Sequence, residues 1–216
     1  MLYSVKFVIQ TSEYFSYLQP IDINEVQYIL GIGYEIDDSW LMSMKLSLID
    51  VSTLSSPKIV TSYTGAGFYT DAAYDFLAVR YLPESKKLIV PVSKSDYNGS
   101  GTYNYTDGFT VYDISDESIT PAFDVIHSTT ESYCWYDAMI PARSFVIQSE
   151  LTTIKGHIAM STEMKSGSVI SKLDLDVGFN YTVCEPWLSY PIYYYENSGY
   201  DYGDEVVGAS DNSTRI

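Results

Sequence analysis

Two histidines and two cysteines in 216 residues leave little room for the commonest catalytic chemistry. His127 and His157 have no partner at metal-ligand spacing, so a zinc site built from them with Cys134 and Cys184 is disfavoured. A Ser-His-Asp hydrolase is disfavoured too, because no G-x-S-x-G elbow is present. Basic residues are scarce: 12 against 28 acidic ones, a net charge of −16. Such a surface repels phosphate backbones and anionic headgroups, which argues against nucleic-acid binding and against membrane attachment. Cations and basic partners are its natural counterparts, and solubility alone would also account for it. No apolar run approaches the ~20 residues that span a bilayer, so no membrane insertion is expected. No secretory leader is visible, since Met1 runs almost directly into YSVKFVI. No segment has convincing helical periodicity, and helix content should be small.

What is present favours strands. Apolar residues make up 46% of the chain, which excludes a disordered composition, and the 22 tyrosines suit a pleated, half-buried surface. Strand-like runs are Tyr3–Ile9, Tyr14–Ile21 (ended by Pro20), Val26–Glu35, Met44–Val51, Lys58–Tyr63, Tyr74–Leu82 and Lys87–Val92. They continue with Phe109–Ile114, Ala122–His127, Ala142–Gln148, Lys155–Ser161, Val169–Leu175 and Phe179–Cys184. Gly31 and Gly33 predict close backbone approach or a bend, and Pro91 predicts an edge strand or a bulge. Ser93–Gly108 reads as the most exposed loop.

The informative feature is a repeat. Lys45–Tyr63, KLSLIDVSTLSSPKIVTSY, is a strand, a polar turn and a strand. It returns weakly at Phe109–Ile126 and more weakly at Val169–Asp176, with Asp50, Asp113 and Asp174 spaced 63 and 61 residues apart. Each aspartate is expected to accept hydrogen bonds from turn amides after the third strand of its unit. Tandem four-stranded antiparallel units build a β-propeller. The expected fold is therefore all-β: a partial propeller of about three four-stranded blades (14–63, 74–127 and 140–185), preceded by one strand of an earlier blade. The propeller segment would occupy 1–188, and a Tyr- and acid-rich tail, partly disordered, 189–216. A closed propeller needs about four to eight blades. The sequence is thus expected to be a piece of a longer product, or to close by pairing with another chain.

The segments YFSYLQPI, ILGIG, KLSLIDVSTLSSPKIVTSY, AAYDFLAVRYLPESKKLIVPVS and, more loosely, ARSFVIQSELTTIKGHIAMST carry a resemblance spanning about Val5 to Asp176. In order and spacing the chain resembles the secreted bacterial and archaeal β-propeller family distantly related to WD repeats. It departs from that family in having Asp75-Phe76 in place of Asp-His, Gln19 in place of His, and Thr53-Leu54 in place of Asp-Pro. The resemblance implies a secreted or cell-surface propeller and no established reaction.

The candidate functional residues follow from these readings. Four sequons, at Asn98, Asn104, Asn180 and Asn212, are candidate glycosylation sites, and Cys134 with Cys184 is a candidate disulfide. Glu35, Asp37, Asp38, Asp71 and Asp75 are weak calcium candidates, because grouped loop carboxylates suit that ion, though no complete D-x-D-x-D-G loop occurs. No other cofactor is expected. The leading expectation is a non-enzymatic extracellular scaffold or binding module with a protein or glycan ligand. Its rivals are a propeller hydrolase using acids such as Asp75 or Asp137 at the channel mouth, and a matrix or filament component that self-associates through open blade faces.

Overall fold

The computed structural model describes residues 13–38, 42–97, 103–130 and 141–175. Thirteen strands in these segments form three antiparallel sheets in chain order. The first sheet is β1 (Glu13–Ile23), β2 (Val26–Ile36), β3 (Met42–Asp50) and β4 (Lys58–Gly65), each strand beside the next. In the second, β7 (Lys87–Tyr97), β8 (Tyr103–Ile114) and β9 (Ile119–Thr130) follow one another, and two short pieces, β5 (Phe68–Tyr69) and β6 (Arg80–Leu82), share the free side of β7. The third sheet is β10 (Arg143–Ile147), β11 (Glu150–Lys155), β12 (Ile158–Glu163) and β13 (Val169–Asp174).

Strand alternation explains how the sheets stack. Successive side chains point to opposite faces, so a strand between two sheets feeds two cores. Leu88, Val90 and Val92 of β7 join Leu30, Ile32, Leu46 and Leu48 in one buried cluster between the first and second sheets. Ile89, Phe109, Val111 and Val125 join Leu151, Ile158 and Met160 in another, between the second and third. The near-continuous apolar run LIVPV in β7 is the sequence trace of this two-sided burial. The architecture is a series of face-stacked sheets forming an open, unclosed arc, as a partial propeller requires.

Glycines set the close approaches. A Cβ on Gly31 would sit 2.6 Å from the Phe15 ring, and one on Gly33 would strike the backbone of Tyr14 and Phe15. The register of β1 against β2 shifts between Phe15 and Tyr17, so the expected close approach coincides with a bulge. Gly33→Ala should cost about 2 kcal/mol, because rigid backbone rather than a flexible side chain must yield. Urea unfolding checks this, and a cost below about 0.5 kcal/mol would contradict the close packing of β1 on β2.

Several boundaries differ from the sequence reading. β1 runs through Pro20 to Ile23, which is tolerable because among the described residues β1 pairs on one side only. Asn24 and Glu25, both at positive φ (53° and 67°), then close a two-residue hairpin of the kind favoured by strand twist. The expected strand Tyr74–Leu82 is mostly not a strand. Thr70 caps a 3-10 turn over Asp71–Ala73, its hydroxyl accepting from Ala72 N at 3.1 Å, and strand pairing resumes only at Arg80. Pro91 lies in a central strand, yet opposite the gap this insertion leaves. Its carbonyl takes the Thr70 hydroxyl at 2.7 Å, so the missing N–H deprives no ladder partner. The Ser93–Gly108 loop is mainly hairpin, since β7 and β8 pair as far as Tyr97 and Tyr103.

The aspartate repeat holds in part. Asp50 Oδ1 accepts from Ser52 N at 2.9 Å, the expected turn bond, and bonds from the Ser52 hydroxyl and amide hold its carboxyl below the usual aspartate range. Asp113 instead takes Lys87 Nζ at 2.6 Å. Asp174 is out of phase: it ends the fourth strand of its sheet, because Lys155–Ser161 is two strands joined at Gly156 and His157. The position matching Asp50, at the end of the third strand, is filled by Glu163, whose carboxylate accepts from the Ser166 hydroxyl. The expected strands Tyr3–Ile9 and Phe179–Cys184, and the tail 189–216, lie outside the described residues.

Candidate functional site

The third sheet presents Leu151, Thr153 and Lys155 of β11 to the second, since alternate residues share a face. Leu151 belongs there; Lys155 is the exception, with 3% of its side chain exposed. Its ammonium lies 2.7 Å from Asp107 Oδ1 on β8 and 3.5 Å from Asp71 Oδ2 at the 3-10 turn. It also donates to the Val92 carbonyl at 3.2 Å and to Ser93 Oγ at 3.1 Å. Ser93 in turn donates to Asp107 Oδ1, so the carboxylate and the ammonium share a neighbour. Burying an ammonium carries a desolvation penalty of several kcal/mol, offset here by two carboxylates and two neutral oxygens.

His127, 3% exposed, lies beside this network. Its Nε2 stands 2.8 Å from Thr153 Oγ1, and its ring packs tilted on Phe109 with centroids 5.7 Å apart. Lys172 Nζ donates to its carbonyl at 3.1 Å, a further bond between the sheets. Burial pushes the imidazole down to about 4; nearby Asp107 opposes the shift, and Lys155 and Lys172 add to it. Nδ1 has no hydrogen-bond partner among the described residues, which suits a neutral ring.

The calcium candidates do not gather. Glu35 Oε2 accepts from Lys45 Nζ at 2.8 Å and Thr64 Oγ1 at 3.3 Å, and the lysine bond holds its carboxyl below the usual range. Lys45 also lies 3.1 Å from Glu13 Oε1. Asp37 and Asp38 are exposed after β2. Asp71 faces Lys155, while Asp75 Oδ2 takes Arg143 Nη1 at 2.6 Å and its Oδ1 accepts from Leu77 N at 3.0 Å. Among the described residues no three His, Cys, Asp or Glu side chains are grouped to hold a metal ion. Asn104 is exposed on β8, open to modification. Cys134, Cys184, Asp137, Asn98, Asn180 and Asn212 lie outside the described residues.

A small, half-open hollow lies beside Lys94, Asp107 and Asp124. The arrangement ties two sheets together by charge. The sequence reading missed Lys155, Asp107 and Arg143. The parity of Leu151, Thr153 and Lys155 was the available signal, because it places a lysine on the face that buries a leucine.

The sequence model of the family described as "Beta propeller domain" matches residues 11–166, from just before β1 to the turn after β12. No curated protein and no solved structure matches the chain. The three stacked sheets and the match over most of the sequence agree, and the chain belongs to the β-propeller domain family.

Proposed function

We propose that the chain is part of a non-enzymatic extracellular or cell-surface propeller that serves as a scaffold or binding module within a longer protein. The observation that carries this reading is the engagement of the acids nearest the sheet interfaces. Asp71 and Asp107 face Lys155, Asp75 faces Arg143, and Glu35 faces Lys45. A hydrolase built on paired carboxylates needs both around the reacting bond, with one held protonated. Here Asp71 and Asp107 converge on the buried Lys155 ammonium, and Glu13 and Glu35 on Lys45. The outside-the-cell placement rests on the four sequons, one on an exposed strand position, and on the family resemblance in the sequence.

Protein and glycan arrays probed with the purified chain should return a ligand, and assays with ester, glycoside and peptide substrates should return no turnover. Turnover of any of these substrates would establish the hydrolase instead. A matrix role has its own support in the exposed Phe145, Ile147 and Leu173 of the third sheet. Size-exclusion chromatography separates the two binding readings: a monomer at all concentrations removes the matrix role.

A further inference from the structure

Between β5 and β6 the chain makes a short excursion whose tip is apolar and outside. Tyr74, Phe76 and Leu77 are 74%, 64% and 57% exposed. Single exposed apolar residues are ordinary, but three within four residues, on a segment whose neighbours are buried, are not. Ala72, Ala73 and Ala78 on either side of the tip are buried, so it is pinned at both ends.

The pinning is extensive. Asp71 O accepts from Tyr74 N at 3.0 Å and Asp75 N at 2.9 Å, and Asp75 O accepts from Ala78 N at 3.0 Å. The Asp75 carboxylate accepts from Leu77 N and is held by Arg143 of the third sheet. At the base, Tyr34, Tyr69 and Tyr74 form a row of rings, with centroids 5.8 and 6.2 Å apart and interplanar angles of 31° and 26°. Rigid aromatic anchors held before contact are what a binding surface needs, because little ordering entropy remains to be lost.

We propose that this tip is a docking site for an extended segment of a partner protein, one carrying aliphatic or aromatic side chains flanked by Lys or Arg. The proposal rests on the binding-module reading and names its site. Apolar side chains of the segment pack against Phe76, Leu77 and the Tyr69–Tyr74 row. Its cations stack on tyrosine faces and are drawn in by the net charge of −16. A glycan fits less well. Sugar hydroxyls need several free polar groups, and at this tip Asp75 and Arg143 are already bonded to each other.

The test uses two sets of fluorescein-labelled short peptides, one alternating Arg with Leu or Phe, the other with Glu replacing Arg. They are titrated against the full chain and against a Phe76→Ser/Leu77→Ser variant of unchanged charge. The Arg set should bind the wild type, lose about tenfold or more in affinity with the variant, and exceed the Glu set. The variant's Tm should stay within about 2 °C of wild type, because Phe76 and Leu77 are mostly exposed. Equal binding of both proteins would overturn the tip while leaving the module reading intact. Overturning it as well would be a Tm loss of the size seen for core substitutions, binding of glycans in place of peptides, or no peptide binding at all. Cleavage of the peptides would instead overturn the module reading itself.

Discussion

Lys155→Met should cost the fold about 3–5 kcal/mol, because it leaves Asp107, and Asp71 behind it, facing an apolar side chain inside a sheet interface. Methionine keeps most of the volume and the flexible stem, so the loss reports the charge and not a cavity. For a chain of this length it corresponds to roughly a 10 °C fall in Tm. Asp107→Asn added to Lys155→Met should restore much of it, since a neutral amide left without an ammonium partner is far less costly than a carboxylate. A double-mutant cycle in urea should therefore show a coupling of about 2 kcal/mol or more. A loss under about 1 kcal/mol with no coupling would mean that the ammonium reaches water and the third sheet does not seat on the second.

Acid should weaken the fold well above the usual carboxylate range. His127 is held neutral down to about 4 in the folded chain, chiefly by burial, against 6.5 as its ordinary value. Between those two values the unfolded chain binds a proton that the folded chain refuses. Stability therefore falls as pH drops from about 6.5 towards about 4, by up to about 3 kcal/mol. Glu35 and Asp50, whose carboxyls lie below their ordinary values, contribute stability that is lost only at lower pH, as it falls through their folded pKa. Urea midpoints measured across pH 4.5 to 7 should slope for the wild type and flatten in His127→Phe. A wild type with no slope in that window would place the ring in water. A slope surviving in His127→Phe would assign it to another group.

Sequence legibility varied with how local the cause was. The first sheet was readable almost strand by strand, because VQYILGIG and KLSLID each carry their own pattern and Asp50 closes its turn on Ser52, two residues away. The third sheet was harder. Lys155–Ser161 looks like one strand until Gly156 is allowed its positive φ of 56°, and that single turn moved the repeat by one strand, from Glu163 to Asp174. The YDFLAVRYL segment was misread because its alternation suits a strand. Thr70 decides otherwise by bonding Ala72 N and the Pro91 carbonyl, and the second of those partners is 21 residues away.

The candidate site was legible only as a list of acids. Glu35, Asp71 and Asp75 were chosen as metal ligands because carboxylates on loops were visible, while the cations that engage them were not. Arg143 lies 68 residues from Asp75, and Lys155 is paired with an aspartate that precedes the second sheet's long strands. Pairing at that separation is set by sheet stacking, and nothing in the neighbouring residues records it. Composition did record the excess of acid over base.

The propeller arrangement requires three sheets stacked in series with two separate cores. Nuclear Overhauser contacts between methyl and ring protons in selectively labelled chain test this most directly. Leu46 and Leu48 should contact Leu88 and Val90, and Phe109 should contact Leu151 or Met160, with none between the first and third sets. Contacts joining Leu46 or Leu48 to Leu151 or Met160 would mean one shared core, and would contradict the propeller arrangement.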